Sequence, residues 1–201
     1  MQVAIDQFRV NIARVRNLGV IHNILNAQTT AVIDLSDILR SELVMAVSAL
    51  DHYIHEIVRL GMLEVYRGTR PETSAFLRFR ISLERVRQMV KTPTSDDWLD
   101  NEIRERHGWR SFQQADHIAD AIRLISDISL WEQVSTHLEM PAQDIKQELN
   151  LIADRRNKIV HEADMDPTPY DTRWPIDEVL VDDAINLIEQ IVETVYDLLT
   201  T

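Results

Sequence analysis

Arg156, Asn157 and His161 are the residues whose types and spacing best fit a chemical role in this sequence. They lie in the stretch LNLIADRRNKIVHEAD, residues 149–164. An α-helix turns by about 100° per residue, which places Arg156 in the middle of an apolar stripe on that helix. Because an arginine stays charged at neutral pH and is rarely buried without a partner, we expect this helix to line a cleft or an interface that receives an anion.

A family resemblance carried by the segment from Arg156 to His161 implies RNA cleavage without a metal ion, and the three side chains suit that reaction. In that reaction the ribose 2′-hydroxyl attacks the neighbouring phosphorus, a base takes the hydroxyl proton, and a positive group stabilises the charge on the phosphorane. His161 fits the proton transfer, because an imidazole titrates near neutral pH. Arg156 fits the charge, because its planar guanidinium matches two phosphate oxygens. Asn157 precedes His161 by four residues and is placed to hold the imidazole or the phosphate.

The segment from Arg156 to His161, R-N-K-I-V-H, resembles the signature of HEPN domains, an arginine and a histidine separated by four to six residues. The stretch SELVMAVSALDHYIHEIV (41–58), with Trp131, is similar to the RiboL-PSP-HEPN subgroup. Many HEPN domains are metal-independent endoribonucleases. The resemblance covers most of the chain and implies an RNA substrate, no cofactor, no metal, and a product with a 2′,3′-cyclic phosphate.

The resemblance also implies a homodimer. Arg156 and His161 lie about 140° apart around an ideal helix, so one chain presents them on different faces. HEPN nucleases resemble one another in placing two signature helices together at a two-fold dimer interface, which assembles one composite site. We therefore expect a toxin-like or defence-type endoribonuclease that dimerises through the signature helix.

Three alternatives stay open. A non-catalytic HEPN module would bind RNA, a nucleotide or a partner protein through the same groove. A purely structural Arg156 would brace the bundle through a carboxylate, with His161 exposed at the helix end. The third alternative is a metal hydrolase that uses His52 and His55.

Four basic residues are predicted to contact RNA. Arg155 also satisfies the looser spacing to His161 but points away from the apolar stripe, so we expect it to contact RNA or solvent; Lys158 is assigned with it. Residues 67–91 hold seven basic and two acidic residues in a chain whose net charge is −12. Within that segment Arg78 and Arg80 are predicted to follow an RNA backbone, with a solvated helix face as the alternative.

A second polar cluster comprises Asp51, His52, His55 and Glu56 on one helix. Two imidazoles and a carboxylate suit zinc, but one helix supplies two or three ligands at most, and no partner motif is evident. We therefore predict no metal site. Ordinary surface polarity is one alternative. The other is that Asp51, His52 and His55 face the signature helix and support its side chains by hydrogen bonds.

The remaining histidines and the large aromatic residues are assigned by their surroundings. His107, His117 and His137 are scattered and are predicted to lie on the surface. Tyr53, Trp98, Trp109 and Trp131 are not interleaved with basic residues, so they are predicted to be core anchors rather than platforms for bases.

Composition limits the class of protein. The chain of 201 residues has four glycines and no cysteine, which excludes disulfides and thiolate chemistry and favours one ordered helical domain, residues 1–201. No apolar run approaches the roughly 18 residues of a membrane span, and the N-terminal residues lack a signal-peptide pattern, so we expect a cytoplasmic protein without membrane contact. Residues 162–201 hold eleven acidic residues and only Arg173 as a base, which predicts a surface for an antitoxin or regulatory protein, or a means of solubility.

Apolar periodicity and the positions of glycine and proline predict an all-α, up-and-down helical bundle with extra helices between the second long helix and the signature helix. The predicted helices cover about 2–17 with an interruption or end near Gly19, about 36–66, 76–90, 96–107, 111–126, 130–139, 141–163 and 177–199. Three prolines, Pro167, Pro169 and Pro175, predict a non-helical connection before the last helix.

Overall fold

The helices come from a computed structural model that describes residues 1–29, 33–168 and 172–200. They are α1 (Gln2–Gln28), α2 (Ser36–Tyr66), α3 (Ser74–Leu77), α4 (Leu83–Lys91), α5 (Asp97–His107), α6 (Ala115–Ile122), α7 (Leu130–Leu138), α8 (Ala142–Glu162) and α9 (Glu178–Thr200). In these ranges the β-structure is limited to an isolated bridge between Met165 and Arg173. The predicted all-α fold is confirmed; Pro169 lies outside the described residues.

The four long helices form an up-and-down bundle, and α3 to α7 are inserted between α2 and α8. Arg9 of α1 binds Glu193 of α9 with 2.6 Å between Nη2 and Oε2, so these two helices run in opposite directions. Helix α2 packs against α1, α5, α6, α8 and α9 and is the centre of the molecule. Its predicted apolar face is confirmed, since the following residues are all buried: Leu39, Leu43, Val47, Leu50, Ile54, Ile57 and Val58.

Helix α1 continues through Gly19, so the expected interruption there is wrong. A Cβ atom on Gly19 would lie 2.8 Å from Oε1 of Glu42 in α2. The glycine therefore allows the two helices to approach each other closely, which outweighs its low helix propensity. Helix α6 is shorter than predicted, because residues 111–114 form a loop whose Phe112 N–H donates to Asp51 of α2 (2.6 Å).

Two side chains lie opposite to expectation. Trp109 is 76% exposed instead of buried, since it follows the end of α5 and projects from a loop. His107 is 5% exposed instead of lying on the surface, because its ring packs edge-on against Phe79 and Phe112. The other predictions of this kind are confirmed: Tyr53, Trp98 and Trp131 are buried, and His117 and His137 are exposed.

Within the described ranges, none of the helices is long and apolar enough to cross a membrane.

Glu42 gives the fold a pH dependence. Burial, together with the negative charge of Asp182, raises the pKa of Glu42 from 4.5 to about 7, against the opposing effects of Arg16 and His22. A native state that binds a proton more tightly than the unfolded chain loses stability as the pH rises from about 4.5 to about 7. We expect the free energy of unfolding of the wild type to fall by about 1–3 kcal/mol relative to Glu42→Gln across that window, measured by urea denaturation. A difference between the two proteins that stays constant with pH would contradict this.

Candidate functional site

Helix α8 carries the signature residues beyond the part of the helix that the core covers. Its buried face consists of Ile145, Leu149 and Ala153. After Ala153 the same face becomes partly exposed, and Val160 is 46% exposed. Arg156 lies at this transition and is half-buried. The last two turns of α8 therefore present a guanidinium and apolar side chains at the edge of the bundle.

A left-handed turn ends α8. Ala163 and Asp164 have φ angles of 51° and 59°, in the region that non-glycine residues rarely adopt. The N–H of Asp164 donates to the carbonyl of Lys158 (3.0 Å), which satisfies an open carbonyl at the helix end. The turn reverses the chain and directs the Asp164 side chain into the protein.

Asp164 is fully buried and joins three segments of the chain. Its Oδ2 accepts hydrogen bonds from Nε of Arg40 in α2 (2.7 Å) and from Nη2 of Arg155 in α8 (2.9 Å). The carbonyl of Trp174 accepts from the same two arginines, at 2.9 and 3.1 Å. The N–H of Trp174 in turn donates to the carbonyl of Asp164 (2.9 Å). We call Arg40, Arg155, Asp164 and Trp174 the Asp164 lock.

Arg155 is therefore a bound residue. Its side chain is 16% exposed, so the expectation that it points into solvent is wrong; the buried carboxylate of Asp164 draws it inward. Burial lowers the pKa of Arg155 from its ordinary value, and the Asp164 carboxylate opposes that shift. Its contact with RNA stays a prediction. The Nζ of Lys158 lies 5.0 Å from the centre of the Trp174 ring, which places this cation over an aromatic face.

Arg156 differs from its neighbour. Its Nη1 donates to Oδ1 of Asn157 (3.2 Å). Among the described residues its buried Nε has no hydrogen-bond partner, which is also true of the Nε of Arg155, but the Arg156 guanidinium lacks the carboxylate partner that Arg155 has. The bracing ion pair proposed for Arg156 in the structural alternative is thus made by Arg40 and Arg155. Arg156 keeps a charge that no described carboxylate neutralises.

His161 lies one residue before the end of α8 and is exposed. In the described part of the chain no hydrogen bond joins it to Asn157, whose Oδ1 receives the Arg156 guanidinium instead. A single chain thus has Arg156 and His161 on one regular helix without a direct contact. This agrees with the helical geometry and leaves the two groups to be brought together by something else.

The model of the RiboL-PSP-HEPN family matches residues 10–201. The chain belongs to the RiboL-PSP-HEPN family. This confirms the predicted family. Searches among curated proteins and among solved structures gave no match.

The polar cluster of α2 lies elsewhere in this HEPN domain. Asp51 comes eleven residues after Arg40, or about 16 Å along the helix. Its Oδ1 accepts the N–H of Phe112, and the His55 ring lies 4.5 Å from the Phe112 ring, while His52 is exposed. These contacts go to the loop after α5, and no hydrogen bond in the described ranges supports the signature residues from this cluster.

The zinc alternative lacks a ligand set among the described residues, where no group of three His, Asp or Glu side chains is arranged to hold a metal ion. Glu56, the carboxylate of the polar cluster, is engaged by Arg59 with 2.8 Å between Oε2 and Nη2. Arg59 also lowers the pKa of Glu56 against the effect of burial. Glu56 is therefore a structural partner of an arginine.

The basic segment 67–91 divides into two classes. Arg67, Arg70 and Arg85 are paired with Asp96, Glu64 and Glu102 respectively. Arg78 and Arg80 are exposed and have no carboxylate partner among the described residues. They line a cavity with the end of α5, and their contact with RNA stays a prediction.

Sequence reasoning missed Arg40, Asp164 and Trp174. Arg40 had a detectable signal, because it precedes Leu43 by three residues on the apolar face of α2, as Arg156 does within the stripe of α8. Asp164 gave no such signal, since its burial results from the left-handed turn after α8.

Asp164→Asn tests the lock. Removing its charge leaves Arg40 and Arg155 without a buried counter-charge, so we expect the free energy of unfolding to fall by about 3–5 kcal/mol in urea denaturation. The matched control is Asp34→Asn, which removes an exposed ion pair to Arg173 (3.0 Å) and keeps the side-chain oxygen that accepts from the N–H of Ser36. We expect the control to cost about 1 kcal/mol or less. Equal losses would contradict the central place of Asp164.

Proposed function

We propose that this HEPN domain is a metal-independent endoribonuclease that acts as a homodimer through α8. The observation that carries the proposal is the state of Arg156, a half-buried guanidinium with an unpartnered Nε and no carboxylate partner among the described residues, five residues before an exposed His161. A protein gains little stability from such a charge. An incoming phosphate supplies the missing counter-charge and accepts in the bidentate geometry that arginine favours.

The surface around the end of α8 supports the dimer. Val160 is 46% exposed and Met165 is 38% exposed, next to the half-buried Ile159. Apolar side chains that border a polar site at the end of a helix favour burial against a second copy. A two-fold axis at this surface would bring Arg156 of one copy towards His161 of the other.

The proposed reaction follows from these groups. The His161 imidazole accepts the proton of the ribose 2′-hydroxyl as the 2′-oxygen attacks phosphorus, and Arg156 of the other copy stabilises the negative phosphorane. The bond from phosphorus to the 5′-oxygen then breaks, and water protonates the departing oxygen. The products are a 2′,3′-cyclic phosphate and a 5′-hydroxyl. Asn157 orients Arg156 through the hydrogen bond to its Nη1.

The Asp164 lock has a positioning role in this proposal. It holds Arg155 against the connection that follows α8, which separates two consecutive arginines into different surroundings. Arg156 is then the guanidinium of the pair that remains available for a substrate phosphate. A toxin-like or defence-type effector role, predicted from the resemblance, belongs to the same proposal.

Cleavage of a labelled RNA in excess EDTA tests the site. We expect Arg156→Ala and His161→Ala each to lower the rate constant by a hundredfold or more, roughly the effect of removing a charge stabiliser or a proton acceptor. Arg14→Ala is the matched control, because Arg14 is exposed on α1 and has no carboxylate partner among the described residues. Expression in cells adds a second readout, in which wild-type protein halts growth and His161→Ala does not.

Equal cleavage by all four proteins would refute the assignment. Absence of cleavage by the wild type, with growth unaffected by its expression, would favour the non-catalytic module that binds through the same groove.

A further inference from the structure

The cavity that Arg78 and Arg80 line lies at the level of the α5–α6 loop, apart from the signature helix. Its volume is about 420 Å³. It is lined by α3 and the following loop, the end of α5, three residues of the next loop (Trp109, Arg110 and Phe112), and residues 120–124 at the end of α6. Four arginines line it together with aromatic residues. The arginines are Arg78, Arg80, Arg106 and Arg110, and the aromatic residues include Phe79 and Trp109. We call this the arginine-aromatic cavity.

Three of these arginines have no counter-charge. Among the described residues Arg78, Arg80 and Arg110 form no ion pair, although the chain carries 33 acidic and 21 basic residues. Arg106 is held by Glu102 with 2.7 Å between Nε and Oε1, and its guanidinium lies 5.8 Å from the centre of the Phe79 ring. Asp120 also lines the cavity but pairs with Arg123. Like charges gathered at one cavity repel each other unless an anion joins them.

The exposed indole of Trp109 offers a stacking surface. Its side chain is 76% exposed, and the Arg110 guanidinium lies 5.3 Å from the centre of its ring. An exposed aromatic ring beside unpaired arginines combines the two elements that hold single-stranded nucleic acid, a face for a base and charges for the backbone. Arg110 covers one face of the ring, and the 76% exposure of the side chain leaves indole surface accessible to a base beyond that face.

His107 adds a buried polar group to the cavity wall. It is 5% exposed, and its Nδ1 has no hydrogen-bond partner in the described part of the chain. Burial, with the nearby His55, Arg110 and Arg106, lowers the pKa of His107 to about 4, so the imidazole is neutral at pH 7. A buried nitrogen without a partner costs stability, and a ligand that offers a hydrogen bond recovers that cost.

We propose that the arginine-aromatic cavity binds a short stretch of single-stranded RNA, with one base on Trp109 and successive backbone phosphates on Arg78, Arg80 and Arg110. The choice of RNA rests on the proposed function. A strand fits better than a free mononucleotide, because the three unpaired guanidinium groups come from two separate loops around an open cavity, which suits successive phosphates.

The cavity is then a second contact for the strand, away from the cut. Phe112 lines it, and the N–H of Phe112 donates to Asp51. Asp51 lies about 16 Å along α2 from Arg40, which belongs to the Asp164 lock. RNA bound at both places spans several nucleotides. The cavity therefore contributes to the binding of long RNA and contributes nothing to a dinucleotide.

Fluorescence anisotropy with a labelled ten-nucleotide single-stranded RNA tests this. All measurements use the His161→Ala protein as background, so that the probe stays intact. We expect Trp109→Ala to raise Kd by about five- to tenfold and the triple change Arg78→Ala, Arg80→Ala and Arg110→Ala to raise it by tenfold or more. Log Kd should also depend less steeply on log salt in the triple variant, by about 0.7 for each lost phosphate contact.

Arg14→Ala is again the control and should leave Kd unchanged. Unchanged binding by both cavity variants, with circular dichroism that shows them folded, would overturn the proposal. So would displacement of the RNA by AMP at concentrations near the Kd of the RNA, which would make the cavity a mononucleotide site.

Cleavage separates this proposal from the proposed function. In the background that retains His161, the triple variant should raise KM for a long RNA, leave kcat unchanged, and cleave a dinucleotide as the wild type does. Loss of binding in the cavity variants of a protein that cleaves no RNA would support the cavity and refute the nuclease. Normal cleavage by the wild type, with unchanged RNA binding by the cavity variants, would support the nuclease and refute the cavity.

Discussion

The ion pairs of Asp164 determine the shape of the signature end of this HEPN domain. A carboxylate without solvent exposure is stable there because two guanidinium groups donate to its Oδ2, at 2.7 and 2.9 Å. The pairs connect residues 124 and 9 positions apart in sequence, and thereby attach α2, α8 and the connection to α9 to one another. The left-handed conformations of Ala163 and Asp164 cost energy, and the buried hydrogen bonds at the same place offset it.

The lock also gives two neighbouring arginines different roles. Arg155 is used for structure, whereas Arg156, at the next helical position, has no carboxylate partner among the residues that the structure describes and lies beside exposed apolar side chains. Elsewhere among the described residues, too, some arginines are paired with acidic residues and others are not. Acidic residues of α9 are engaged by α1, as Glu193 is by Arg9 and Glu189 is by Arg16. Among the described residues, arginines without a carboxylate partner include Arg156 of α8 and three arginines of the arginine-aromatic cavity, as well as Arg14 of α1.

Much of the fold was predictable from local sequence. Gly68 follows shortly after the end of α2, Gly108 comes directly after α5, and Pro141 directly precedes α8; such residues act over one or two turns. The half-buried position of Arg156 was predictable, because a charge inside an apolar stripe is visible in the sequence. The predicted helix interruption at Gly19 is wrong, because the glycine is there to allow the close approach of Glu42 from α2 and not to end a helix.

The remaining features depend on distant contacts. Asp164 looked like one acid among many in residues 162–201, and only the turn after α8 reveals that it is buried. His107 and Trp109 are two residues apart, yet one is enclosed by Phe79 and Phe112 while the other projects from the loop. Periodicity does not distinguish them, because His107 is the last residue of α5 and Trp109 lies in the loop that follows.

In the proposed dimer, Arg156 and His161 act together across two copies of α8. Subunit exchange between purified Arg156→Ala and His161→Ala proteins tests it most directly, because each mixed dimer would pair an intact Arg156 of one copy with an intact His161 of the other. Cleavage by the mixture should rise well above that of either parent protein in excess EDTA. A mixture that forms mixed dimers, shown by native mass spectrometry, and stays as inactive as its parents would contradict the account.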